Sequence, residues 1–202
     1  MKKKTIALVL ACILCVGIGI GGTLAWLTAD AGSLVNTFTA TDIEVTLAET
    51  FNVDSDNDGT NDKWQAQMVP GVSYTKDPVV TVTSNTTVDC YLFVKFEESK
   101  DASKYLDYTS LLTTANGWAL VPGQTNVWYR EVKTTDAVKS WHLLDGDTVT
   151  VNGENVTKDN MATAAATTLT YSAYASQLYK NNTATFTAAE AWAKVNPAAS
   201  AT

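Results

Sequence analysis

The stretch VDCYLFVKF at residues 88–96 constrains the fold more than any other part of this chain. Val88, Cys90, Leu92, Val94 and Phe96 fall at alternate positions, the two-residue period of a strand that turns one face into a core. The same signature recurs elsewhere. Ile43, Val45 and Leu47 alternate with polar residues in TDIEVTL, and PVVTVTS carries a strand over 79–83. NVWYREV predicts another over 126–132. Thr148 to Val151 predicts a short one that ends on Asn152-Gly153, a good hairpin turn. In LTYSAYA (169–175), Leu169, Tyr171 and Ala173 share one face, and Thr170, Ser172 and Tyr174 the other. Threonine, valine and aromatic residues dominate these runs, as strands favour. Pro70-Gly71, Asn116-Gly117, Pro122-Gly123 and Asp145-Gly146 mark turns between them. Helix is scarce: Thr187-Ala188-Ala189-Glu190 reads as a capping box opening a short helix through Val195. Lys104 to Leu112 and Met161 to Ala166 each suit a helical turn. Roughly seven strands with long connections predict an all-β antiparallel sandwich over residues 42–197. It would carry short helical insertions and one short C-terminal helix, followed by a frayed tail at 198–202.

The N-terminus sets the compartment. Lys2, Lys3 and Lys4 precede an apolar run from Ile6 to Ile20, followed by GGTLAWLT at 21–28. A charged start, a short apolar core and a small-residue exit predict a secretory signal peptide over residues 1–25, cleaved at Ala25, with Ala29 the second choice. The run is short of the roughly 18–20 residues that a spanning helix needs. Extension to Leu27 keeps an uncleaved anchor as an alternative, and Ala11-Cys12 keeps a lipidated one. The formal net charge is −7, and loss of the three leader lysines makes the remainder more acidic still. An acidic chain with a single arginine, Arg130, lacks the concentrated cations that phosphate contacts need, so no nucleic-acid partner is expected. The balance suits an exported protein able to bind cations. Two of the three cysteines lie in the leader, which leaves Cys90 without an internal disulfide partner. Its strand position predicts core burial; an intermolecular disulfide or a reactive thiol is the alternative. Residues 26–41, WLTADAGSLVNTFTAT, are polar and lightly charged, with scattered Leu34, Val35 and Phe38. They suit a loose arm or first strand, or an extended segment that pairs with an exposed sheet edge on another subunit.

The sharpest chemical motif is NVDSDNDGTNDKW at 52–64. Asp54, Asp56 and Asp58 alternate before Gly59, with Asp62 beyond: the D-x-D-x-D-G start of a calcium loop. Ca2+ takes six to eight oxygens, so alternating carboxylates in a tight turn converge on one ion. Thr60 would add its backbone carbonyl and Asp62 a further ligand. Gln65 stands at the twelfth position instead of a bidentate glutamate, which makes this a partial loop of weak affinity; a solvated acidic turn is the plain alternative. No catalytic residues emerge, and no enzyme is expected. His142 is the only histidine and, beside Trp141, Leu143 and Leu144, reads as a half-buried structural side chain. Paired-histidine zinc chemistry is out of reach. Trp118, Trp128, Tyr129, Trp141, Tyr171 and Tyr174 suit a core or rim, with a sugar-binding face as the alternative.

The opening GGTLAWLT, followed by NTFTATDIEVTL at 36–47, resembles exported Gram-positive proteins with SipW-dependent-type signal peptides, the TasA/camelysin family of biofilm matrix fibre proteins. VPGVSYTKDPVVTVTSNTTVDCYLFVKFEE (69–98), GWALVPGQTNVWYREV (117–132) and the segments LTYSAYASQ and TAAEAWAKV within 169–195 extend the likeness over most of the chain. The resemblance implies a jelly-roll-like sandwich, a dedicated signal peptidase, and location in the extracellular matrix or at the cell surface. It also implies self-association into fibres, in which the arm of one subunit, roughly Trp26 to Thr41, completes the sheet of its neighbour. The metallopeptidase activity described for the camelysin branch has no ligand set here. The leading expectation is a secreted structural subunit that assembles by strand addition through Leu34, Val35 and Phe38, with other matrix proteins or glycans as further partners. The alternative is a monomeric, calcium-stabilised, adhesin-like surface binding module.

Overall fold

The computed structural model describes residues 43–50 and 66–196. The segment expected to be a signal peptide (1–25), the expected arm at 26–41, the Asp54–Asp62 motif and the tail at 198–202 lie outside the described residues.

The described chain is mostly β, with several antiparallel sheets and few short helices, one of them C-terminal. In order come β1 (Val45–Ala48), β2 (Ser73–Thr75), β3 (Val79–Val82), β4 (Cys90–Glu98), α1 (Ala102–Tyr105), β5 (Leu106–Asp107), β6 (Ala119–Leu120) and β7 (Val127–Val132). Then follow β8 (Ser140–His142), β9 (Thr148–Val151), α2 (Met161–Ala165), β10 (Leu169–Gln177), β11 (Tyr179–Asn181), β12 (Ala184–Thr185) and α3 (Ala188–Val195). The strands form sheets of order β10-β4-β7-β6, β1-β3-β8 and β2-β9-β5, with β11 and β12 as a separate pair.

The period-2 runs became strands where they were expected. The face of β4 that carries Cys90, Leu92 and Val94 packs into one core with Val45 of β1 and Val80 and Val82 of β3. Val88 and Phe96 lie at its margin. The opposite face of β4 is buried as well: Tyr91 and Phe93 pack with Val127, Leu178 and the α3 residues Ala188, Ala191 and Trp192. Leu92, Phe93 and Val94 are fully buried, and each such side chain contributes roughly 1.5–3 kcal/mol through the water it sheds. The unbroken apolar run CYLFV is the mark of a strand covered on both faces, which alternation alone does not disclose.

The helix α3 begins as its capping box predicts. The Thr187 hydroxyl accepts the Glu190 N–H, and the Glu190 carboxylate accepts the Thr187 N–H at 2.8 Å. Its apolar side then carries Trp192 onto Phe93, with ring centroids 5.4 Å apart.

Three local expectations need correction. Asn152-Gly153 closes no hairpin: β9 pairs with β2 and β5 instead of a following strand. The Asn152 side-chain oxygen accepts the N–H groups of Glu154 and Asn155, so it turns the chain outward toward α2. The helical turn expected within 104–112 starts earlier, at Ala102, and takes in only Lys104 and Tyr105 of that stretch before the chain continues as β5. His142 is exposed, not half-buried, because β8 alternates and directs only Trp141 inward.

Candidate functional site

Among the residues singled out by sequence, Asp54, Asp56, Asp58, Thr60, Asp62, Ala25, Leu34, Val35 and Phe38 lie outside the described residues. The N-terminal flank of the acidic motif is described, and it is pinned. Lys76 Nζ donates to both carboxylate oxygens of Glu49, at 2.8 and 3.0 Å, and both side chains are largely buried. The next residues along each segment meet too: the Thr50 N–H donates to Asp77 Oδ1 at 2.9 Å, and the Thr50 hydroxyl to Asp77 Oδ2. Burial works against ionisation of Asp77, but the bonds from Thr50 outweigh it and hold the carboxyl below its ordinary range. Two adjacent contacts thus anchor the chain where it leaves β1 for the acidic segment. Among the described residues, no three carboxylate, histidine or cysteine side chains gather as a metal site.

Cys90 is buried, free and chemically quiet. Burial pushes its thiol up to about 12, with the charge of Asp89 adding to the effect. An intermolecular disulfide through this sulfur is incompatible with the folded core. His142 places Nδ1 2.8 Å from Asp147 Oδ1 at an exposed site.

The aromatic residues do not form one sugar-binding face. Trp118 and Tyr171 are buried in the core on the Cys90 side of β4, and Trp128 and Trp141 pack partly against it. Tyr129 and Tyr174 lie on the other side, packed against the cluster under α3.

Sequence reasoning missed two features. The first is Arg130 on β7, held by Trp118 and Trp141 with its guanidinium carbon 5.0 and 4.2 Å from the ring centroids. The only signal in the sequence was that it is the sole arginine. The second is the lateral edge of β10. This strand pairs with β4 from Leu169↔Glu98 to Gln177↔Cys90 without a register shift. The Ser99 N–H donates to the Thr168 carbonyl, and the Leu178 N–H to the Asp89 carbonyl. Both pairs continue the β10–β4 register, so even-numbered residues of β10 hydrogen-bond with β4. Leu169, Tyr171, Ala173, Ala175 and Gln177 therefore direct backbone N–H and C=O groups away from β4. Among the described residues no strand pairs with β10 on that side. The strand LTYSAYASQ also contains no charge or proline, two of the devices that blunt an edge, although β1 and α3 lie close to it.

Compared with known protein families, curated proteins and solved structures, the chain matches none. No helix among the described residues is long and apolar enough to cross a membrane.

Proposed function

We propose that this chain is a secreted structural subunit of an extracellular matrix or surface fibre, of the TasA-like kind that its sequence resembles. In this reading the fold is a jelly-roll-like sandwich, and subunits join when the N-terminal arm at 26–41 of one adds a strand to a sheet of the next. Main-chain hydrogen bonds would supply the affinity, and Leu34, Val35 and Phe38 the specificity. The observation that carries the proposal is β10: nine residues long, uncharged, and with one set of backbone groups turned from its only described partner. A strand edge of that length without charge or proline is a template for another strand. Burial of Cys90 is consistent with this reading, since it takes disulfide exchange through that sulfur out of subunit joining.

The test compares the chain that lacks its leader with the same chain that also lacks residues 26–41. Size-exclusion chromatography and electron microscopy should find polymers only in the first, and a folded monomer in the second. Fibres that persist without the arm would refute the proposal.

A further inference from the structure

Arg130 raises a question that its packing does not answer. It is the only arginine of an acidic chain, yet among the described residues it has no ion pair; the charge of Asp136 acts on it only from a distance. Its guanidinium lies against Trp118 and Trp141, whose own rings meet edge to face at 6.2 Å. Indole rings attract a cation but offer no lone pair to its in-plane N–H groups. Nη1 is buried with no acceptor among the described residues. The side chain as a whole is partly exposed. At Gly117 an added Cβ would stand 3.0 Å from Nη2, so only glycine lets the fork lie against this turn; Nη2 also has no acceptor among the described residues but, unlike Nη1, is not fully buried. Trp128 lies two residues before Arg130 on the same face of β7 and is also partly exposed.

A planar, fork-shaped cation with no carboxylate partner among the described residues, flanked by partly exposed indole, matches a ligand that carries a carboxylate on an apolar-faced ring. We propose that Arg130, with Trp118, Trp141 and Trp128, binds the uronic-acid units of an acidic polysaccharide. The guanidinium takes the carboxylate from its Nη2 side, and Trp128 stacks on the sugar ring. Trp118 and Trp141 hold the fork in place and exclude water from one side of it, which strengthens the charged contact. This proposal goes beyond fibre assembly and does not depend on it.

The full-length chain is titrated with oligogalacturonate, with neutral oligoglucose and with acetate at matched carboxylate concentration, followed by tryptophan fluorescence and calorimetry. Oligogalacturonate should bind with a dissociation constant on the order of 1 mM, and the two controls should not bind. Arg130→Lys keeps the charge but loses the fork, and should bind at least about tenfold more weakly, the equivalent of one charge-assisted hydrogen bond. Circular dichroism verifies that this variant keeps its fold. Arg130→Gln should abolish binding; if it does not fold, the lysine variant decides. Equal binding of oligoglucose, equal response to acetate, unchanged affinity in folded Arg130→Lys, or no binding of oligogalacturonate would each overturn the proposal.

Discussion

Cys90 shows how one residue ties chemistry to the core. Its thiol sits where β4 meets Val132 of β7, in a region without water to solvate a thiolate. The ordinary value of 9.0 rises to about 12 because burial penalises the charged form. Between those values the folded chain holds a proton that the unfolded chain releases, so stability is complete below pH 9 and declines as pH rises toward 12. Tyr108 and Tyr171, pushed up first by burial, act in the same direction. We therefore expect native Cys90 to resist a thiol reagent at pH 8 and to react fully in denaturant. Chemical denaturation above pH 9 should show a shallower loss of stability in Cys90→Val than in the parent. Fast labelling of the native protein would mean that β4 opens readily. Sequence disclosed the position of Cys90 through alternation. It could not disclose Arg130, whose partners Trp118 and Trp141 lie on separate segments that only folding brings together.

Elements carry the next tier of cause. The capping box of α3 uses only residues 187 and 190, so it was legible in the sequence, and its consequence is measurable. Thr187→Ala removes the acceptor for the Glu190 N–H and should cost about 1 kcal/mol in chemical denaturation. Lys180 first, then the Thr187 bonds, hold the exposed Glu190 carboxyl down to about 2, so its contribution persists above its ordinary 4.5 and fades as pH falls through about 2. Strand β10 offers a sharper pair of substitutions. Ala173→Pro deletes an N–H that points away from β4, so the fold should survive while fibre formation falls. Ser172→Pro deletes one that pairs with Lys95, and should lower the unfolding temperature markedly. Equal destabilisation by both would show that the outward N–H groups of β10 are already paired within the native chain. The hairpin expected at Asn152-Gly153 failed for a reason of the same scale. The Asn152 side chain bonds two N–H groups ahead of it, and this local bond competes with the hairpin.

At the scale of the whole molecule, β4 divides two cores, one shared with β1 and β3 and the other with α3. The clasp of Glu49 and Thr50 by Lys76 and Asp77 fixes β1 at the point where the Asp54–Asp62 motif begins. If the motif binds Ca2+, the ion adds stability by mass action to the domain that carries it. Millimolar calcium should then raise the unfolding temperature of the parent, and not of a variant with Asp54, Asp56 and Asp58 changed to asparagine. An equal shift in both would assign the effect to general screening of an acidic chain. The sequence by itself determined the local terms: which runs alternate, where the C-terminal helix is capped, and that Cys90 is the only cysteine after Cys15. These depend on neighbours within a few residues, and neighbours in sequence are written in order. Only the tertiary structure decided that β4 is buried on both faces, that β10 lacks a second described partner, and that Arg130 lies against two indoles with no ion pair among the described residues. Each of those depends on segments far apart in sequence, which the core alone brings within a few ångströms.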